Sequence, residues 1–332
     1  MRVKDLLWQA ASAGHRAALP ILSFPAAQKL GVSVEELVKS AELQAAAMAC
    51  IAAETDAVAA VSLMDLSVEA EAFGAAVRFF PDEVPAVVGQ LVSDEDEAEA
   101  LEVPPLTAGR LSVCVEGVRL ARERIADKPV LAGCIGPYSL AGRLCDVTEI
   151  MYLCFDEPDM VHTVLEKATE LLIAYGQAMK DAGADGLMMA EPLAGLLSPD
   201  MAREFSHGYV KQIVEALQDA DFSVIYHNCG NSVACMLDDI FAIGADGCHF
   251  GNAVDMEAVM KAAPADVLCM GNIDPAGQFV QGTPETMRAA VKTLLDRCGK
   301  YPNFVLSSGC DIPAHAAWEN IHGFFEAVKQ WS

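Results

Sequence analysis

The sequence predicts an α/β fold, a single (β/α)8 TIM barrel, and three observations carry that prediction. Eight short apolar runs of strand character recur along the chain, separated by longer segments with apolar residues at three- and four-residue spacing. Gly-Ala-Asp-Gly occurs twice, at 183–186 and 244–247, each time between a helical pattern and an apolar run, as a repeated βα unit requires. A length of 332 residues suits eight such units. A doubly wound open sheet is the alternative. No Gly-x-Gly-x-x-Gly or Gly-Lys-Ser/Thr loop follows any run, which removes the usual nucleotide signatures.

In order, the runs are Ala17–Ser23, Ala57–Leu63, Pro129–Ile135, Asp185–Ala190, Ser223–Asn228, Asp246–Phe250, Val267–Asn272 and Phe304–Ser308. Met160–Asp181 and Ser198–Asp219 are the clearest helical patterns between them. The glycine that opens each Gly-Ala-Asp-Gly is the expected helix C-cap, where the chain turns into the sheet. Asp82–Thr107 is acidic and contains prolines; it is read as a solvated helix or insertion between the second and third strands. No domain boundary is placed, so 1–332 is read as one catalytic domain.

Composition narrows the function. Hydrophobic residues make up 53% and mean hydropathy is +0.29, enough for a large core. A formal charge of −25 argues against nucleic-acid binding, which needs a positive surface. No apolar run is long enough to span a membrane and Met1-Arg2-Val3-Lys4-Asp5 opens no signal peptide, so a cytoplasmic protein without a membrane role is expected. Eleven cysteines without regular spacing do not form a disulfide framework. Nine of them read as small buried hydrophobes; Cys229 and Cys310 do not.

A barrel collects its functional side chains where strands end. Asp65 and Glu69 follow the second run, Cys134 and Tyr138 lie at the third, and Glu191 closes the fourth. His227 and Cys229 close the fifth, His249 and Asn252 the sixth, Asn272 and Asp274 the seventh, and Cys310 and Asp311 the eighth. Residues two apart on a strand share a face, so His227 and Cys229 aim at one point. With Cys310 they make a zinc set, Zn2+ held by one His and two Cys, with one coordination position open to a substrate. A closed zinc knuckle would need a fourth His or Cys at C-x2-C-type spacing, and none is present. Asp65 reads equally as a helix cap, Asn252, Asn272 and Asp274 equally as turn residues, and His249 as a satisfied core histidine.

These segments resemble the uroporphyrinogen decarboxylase superfamily, in particular its zinc-dependent corrinoid methyltransferase branch. The resemblance rests on Met64-Asp65-Leu66-Ser67-Val68-Glu69, Gly136-Pro137-Tyr138-Ser139-Leu140, His227-Asn228-Cys229-Gly230-Asn231, Gly271-Asn272-Ile273-Asp274-Pro275, Gly282-Thr283-Pro284-Glu285 and Ser308-Gly309-Cys310-Asp311-Ile312-Pro313. They run through the chain in order. The decarboxylases look to carry an arginine-rich N-terminal segment and a His at the strand-eight position. Here those places hold Leu19–Pro25, without arginine, and Cys310.

The resemblance implies methyl transfer between a corrinoid (cobalamin) and a zinc-held substrate. The substrate is most simply a thiol such as coenzyme M; the alternatives are a methoxylated donor in an O-demethylase and a decarboxylase-like lyase. It implies His227, Cys229 and Cys310 as metal ligands, and Asp65 and Glu191 as catalytic groups. Glu69 joins those two as a candidate fourth ligand or proton acceptor, and Tyr138, Asn252 and Asn272 are cofactor-binding candidates. The chain has no Asp-x-His-x-x-Gly corrinoid motif, so a corrinoid carrier protein is the expected partner, beside a small-molecule methyl donor or acceptor. Arg16 and Arg143 are the candidates for a sulfonate.

Overall fold

The computed structural model describes residues 3–12 and 18–331. The apolar runs become strands that are buried on both faces, which is why they lack the alternation of a half-exposed sheet. In chain order the strands are β1 (Ala60–Val61), β2 (Ala76–Arg78), β3 (Ala86–Val88), β4 (Val130–Ile135) and β5 (Gly186–Ala190), followed by β6 (Ser223–Asn228), β7 (Gly247–Phe250), β8 (Leu268–Ile273) and β9 (Phe304–Ser308). Seven of them form one parallel sheet in the order β1-β4-β5-β6-β7-β8-β9. Helices connect the strands and pack around the sheet, in the (β/α) pattern the sequence predicts.

Reading and structure differ most where the barrel closes: the second run, Ala57–Leu63, shortens to β1, and the first expected strand, Ala17–Ser23, is hardly a strand at all. Residue 17 lies outside the described residues, and from Ala18 onward only one ladder bridge forms, Ala18 to Leu306. The segment still joins the two edges of the sheet. Leu19 N–H donates to the Leu306 carbonyl at 2.9 Å, and Val58 N–H donates to the Ala18 carbonyl at 3.1 Å. Further on, serine side chains replace the backbone ladder. Ile21 N–H donates to Ser308 Oγ at 3.1 Å, and the Ser307 hydroxyl donates to the Leu19 carbonyl at 2.6 Å. The barrel closes through side chains there, which no apolar pattern reveals.

Two apolar layers follow from the pleat. Alternate strand residues Leu131, Met188, Ala190, Ile225, Leu268, Met270 and Val305 form an inner cluster with Leu19, Ile21, Val61 and Val3. The other faces pack against the helices in a larger outer cluster. Lys4 on the helix Val3–Ser12 pairs with Asp246 at 3.1 Å and holds that helix to the sheet. The Gly-Ala-Asp-Gly repeats do matching work. Gly183 (φ 99°) and Gly244 (φ 86°) take the left-handed conformation that ends the preceding helix. Asp185 then accepts Val130 N–H at 2.9 Å, and Asp246 accepts the Ser223 hydroxyl at 2.9 Å, each pinning the start of the neighbouring strand.

The acidic stretch is an insertion between β1 and β4, as expected. It carries β3, which pairs antiparallel with the preceding β2, and the helix Glu95–Ala100, with Asp94 accepting Glu97 N–H as the helix cap. Among the described residues no helix is long and apolar enough to cross a membrane.

Candidate metal centre

On β6 the inward face carries Ile225 and then His227, and the next residue of that parity, Cys229, lies just past the strand. Cys310 follows the end of β9. Both strands deliver their side chains to one spot. The Cys310 sulfur lies 3.5 Å from His227 Nε2 and 4.0 Å from the Cys229 sulfur, and all three ligand atoms fall within 4.8 Å of one another. Tetrahedral zinc at ordinary Zn–N and Zn–S lengths needs ligands roughly 3.6–3.8 Å apart. The two separations from the Cys310 sulfur are close to that spacing, and the third falls under 4.8 Å. His227 is 2% exposed, whereas Cys229 and Cys310 are half-buried, so the fourth direction faces outward. Gly251, just past β7, makes room: a Cβ there would lie 2.6 Å from Cys229 Cα.

Proton sharing sets the state of the sulfurs. The Cys310 thiol donates to Cys229, which lowers the Cys229 pKa and raises that of Cys310. That lowering favours the Cys229 thiolate, the form a metal takes. Behind His227 runs a chain of short contacts across the barrel interior. His227 Nδ1 lies 2.8 Å from Nδ1 of His249, its register partner on β7. His249 Nε2 lies 2.7 Å from the Ser307 hydroxyl. Burial holds His249 well below its ordinary pKa, so the ring is neutral.

The carboxylates are engaged differently. Asp65 accepts from the backbone N–H of Ser67 at 3.1 Å and its hydroxyl at 2.6 Å, and its other oxygen is paired with the Arg110 guanidinium. Arg110, 6% exposed, also meets Glu71 at 2.6 Å and Ser67 at 2.8 Å. Glu69 accepts Ile135 N–H at 3.0 Å, and Glu191 accepts Ser139 N–H at 3.0 Å, so both hold the turn from β4 into the helix Pro137–Cys145. Each leaves one buried oxygen without a partner. Burial pushes Glu69 up to about 7 and Glu191 up to about 8. Gly136 has no side chain because Glu191 occupies that space: a Cβ there would sit 1.6 Å from its Oε2. Asp65, Glu69 and Glu191 are not members of the His227/Cys229/Cys310 cluster.

The remaining candidates fall in three places. Tyr138 is fully buried beneath the helix Glu149–Asp156, its hydroxyl 3.3 Å from the Met151 sulfur and 3.7 Å from the Cys154 sulfur. Cys134 is buried, and desolvation, with Glu69 and Glu191 nearby, drives its pKa well up. Asn272 spends its amide hydrogens on the Gly251 and Val254 carbonyls at 2.9 and 2.7 Å, while Asn252 is exposed. Both asparagines line a cavity of about 570 Å³ with Asp274, Gln278, Thr293 and Arg297. Asp274 accepts two backbone N–H groups of the turn that follows it. Arg143 lies in the last turn of Pro137–Cys145, where burial lowers its pKa. Arg16 lies outside the described residues.

Arg110 is the residue that sequence reading missed. Nothing in Thr107-Ala108-Gly109-Arg110 distinguishes it from a surface loop arginine. Its only signal is the buried Asp65, 45 residues earlier, whose charge needs a partner.

The chain is 27% identical over 274 residues to a methylcobamide:CoM methyltransferase of Methanosarcina acetivorans, covering 80% of this chain and 78% of that one. It is also 27% identical over 287 residues to a uroporphyrinogen decarboxylase of Psychromonas ingrahamii, covering 82% and 79%. Among solved structures, a methyltransferase from Methanosarcina mazei superposes with a TM-score of 0.88 at 24% identity, over 99% of this chain and 98% of that one. A B12-independent methionine synthase from Shewanella has the same fold at a TM-score of 0.59 and 14% identity, over 95% and 94%. The uroporphyrinogen decarboxylase family model spans residues 15–331. That span covers most of the chain, which therefore belongs to the uroporphyrinogen decarboxylase family.

Proposed function

We propose that this chain is a zinc-dependent methyltransferase, one catalytic domain that moves a methyl group between a corrinoid on a separate carrier protein and a small thiol. The observation that carries the reading is the meeting of His227, Cys229 and Cys310, their ligand atoms within 4.8 Å of one another, with one side open. Zinc bound there would supply a Lewis acid that keeps a substrate thiol in its nucleophilic thiolate form near neutral pH. Two thiolates and a neutral imidazole from the chain balance the charge of the ion.

The chain's own groups divide the rest of the work. Cys229 and Cys310 face the open side and set where substrate enters, while buried His227 anchors the set from within. Glu69, a buried acid with its pKa raised to about 7, is part-ionised near neutral pH and is the candidate to take up the proton that the thiol loses, whereas Glu191, raised to about 8, mostly keeps its own. Asp65 is paired with Arg110 and orders the loop that carries Glu69. Asn252 and Asn272 line the cavity that we assign to the small substrate or to the rim facing the corrinoid. The methylcobamide:CoM methyltransferase relatives support the corrinoid half of the reading.

Decarboxylase relatives match at the same 27% identity, which gives a lyase as the second reading. Against it stand the absence of arginine from Leu19–Pro25 and the commitment of Asp65 to Arg110. Metal analysis of the purified protein, with cobalt absorbance followed on mixing methylcobalamin and thiols, separates the two. About one zinc per chain with thiol-dependent demethylation is the expected result. Zinc without thiol reaction redirects the assay to Co(I) corrinoid and methoxylated donors. A zinc-free protein overturns the proposal in favour of the lyase.

A further inference from the structure

The three contacts behind His227 form one directed chain, because a single hydroxyl proton fixes the direction of every hydrogen bond in it. Ser307 Oγ lies 2.6 Å from the Leu19 carbonyl, which can only accept, so the one hydroxyl proton of Ser307 points there. Ser307 can then meet His249 Nε2, 2.7 Å away, only as an acceptor, and the ring proton of His249 sits on Nε2. The ring is wholly buried and none of the described ion pairs involves it, so it holds that one proton alone, turns a lone pair toward His227 Nδ1 at 2.8 Å, and His227 must donate. His227 is left with its free lone pair on Nε2, the atom 3.5 Å from the Cys310 sulfur.

We infer that His249 and Ser307 are positioning residues that hold His227 in the Nδ1–H tautomer and so direct its Nε2 lone pair at the metal. The inference rests on the zinc reading and extends it. It also explains why three polar side chains occupy the barrel interior above the apolar layer of Ile225, Met270 and Val305. All three are at most 2% exposed, a place where polar groups persist only when fully satisfied. Because the last acceptor is a carbonyl of the segment that closes the barrel, the order of that segment is passed to the metal ligand. Neither residue touches the ion; both act through His227.

The test needs the tautomers and the metal affinity together. Histidine ring-nitrogen NMR of the wild-type protein, metal-free and zinc-loaded, should place the proton on Nδ1 of His227 and on Nε2 of His249. The reverse placement overturns the inference whatever the variants do. Zinc affinity is then measured against a chelating dye for Ser307→Ala, His249→Phe and His249→Asn. The first two should bind zinc at least about tenfold more weakly, while the asparagine, whose Oδ1 can accept from His227 Nδ1, should recover most of the loss. Affinities within about twofold of wild type in both Ser307→Ala and His249→Phe overturn the positioning role and leave the zinc reading intact. A wild type that binds no zinc instead removes the reading beneath it. Should His249→Phe fail to fold, Ser307→Ala and the wild-type tautomers still decide.

Discussion

Two clusters of ionisable side chains sit at the strand ends of this barrel, and they are held in opposite ways. At β6 and β9, His227, Cys229 and Cys310 turn toward one another, and two of the three remain partly open. At β1, β4 and β5, Asp65, Glu69 and Glu191 turn toward the protein: a buried guanidinium, a serine hydroxyl and the backbone amides of Ser67, Ile135 and Ser139. The first cluster spends few of its donor atoms on the framework and is free to bind. The second spends most of its oxygens on shape and keeps one unpartnered oxygen on each glutamate. Similar placement at strand ends thus gives two different jobs, told apart by what each side chain already holds.

The division is broken most easily by crossing its effects. Cys310→Ser should reduce zinc from about one per chain to a small fraction and lower methyl transfer at least about 100-fold, since two protein ligands hold the ion poorly. The urea midpoint of the metal-free variant should match that of metal-free wild type. Arg110→Met should do the reverse. It leaves Asp65 as an uncompensated buried charge and costs about 3–5 kcal/mol of stability, read by urea unfolding, while the folded fraction still binds zinc. Zinc loss in folded Arg110→Met, or a large stability loss in metal-free Cys310→Ser, would show that the clusters are one unit.

The two clusters also differ in how far the sequence revealed them. His227 and Cys229 were legible because a strand repeats every two residues, and Cys310 because an apolar run ends just before it. The runs Ser223–Asn228 and Phe304–Ser308 coincide with β6 and β9 to the residue. Arg110 was not legible, since its partner is 45 residues away and the intervening insertion decides whether they meet. His249 reads as a satisfied core histidine, and it is one. What satisfies it is Ser307 and His227, the latter through a cross-strand register that a single sequence does not encode. The closing segment at Ala18 was blurred because serine side chains take the place of ladder bonds.

The carboxylate side can be sharpened through pH. Burial raises the folded-state pKa of Glu191 to about 8 and of Glu69 to about 7, above the ordinary 4.5. The fold therefore favours their protonated forms. That contribution is complete below about pH 4.5 and is lost as pH rises through 7 and 8. Glu191→Gln stays neutral and similar in shape, so it should come within about 1 kcal/mol of wild type near pH 5 and exceed its stability by about 3–5 kcal/mol near pH 8.5. Urea midpoints at those two pH values check it. An equal effect at both would mean that Glu191 is ionised in the fold throughout, held by the helix amides more strongly than burial opposes.

The smallest effect is expected at Tyr138, which belongs to neither cluster. Its hydroxyl has only the sulfurs of Met151 and Cys154 within reach, and sulfur is a weak acceptor. Tyr138→Phe removes those bonds and also the cost of burying the hydroxyl, so the two nearly cancel and stability should change by no more than about 0.5 kcal/mol. Methyl transfer should then stay within about twofold of wild type, because the ring itself and the packing beneath Glu149–Asp156 are retained. The family resemblance made Tyr138 a cofactor-binding candidate. For that assignment to hold, the helix Glu149–Asp156 must lift and free the hydroxyl when the carrier docks. A drop of about tenfold or more in methyl transfer at unchanged stability would be the sign of that motion.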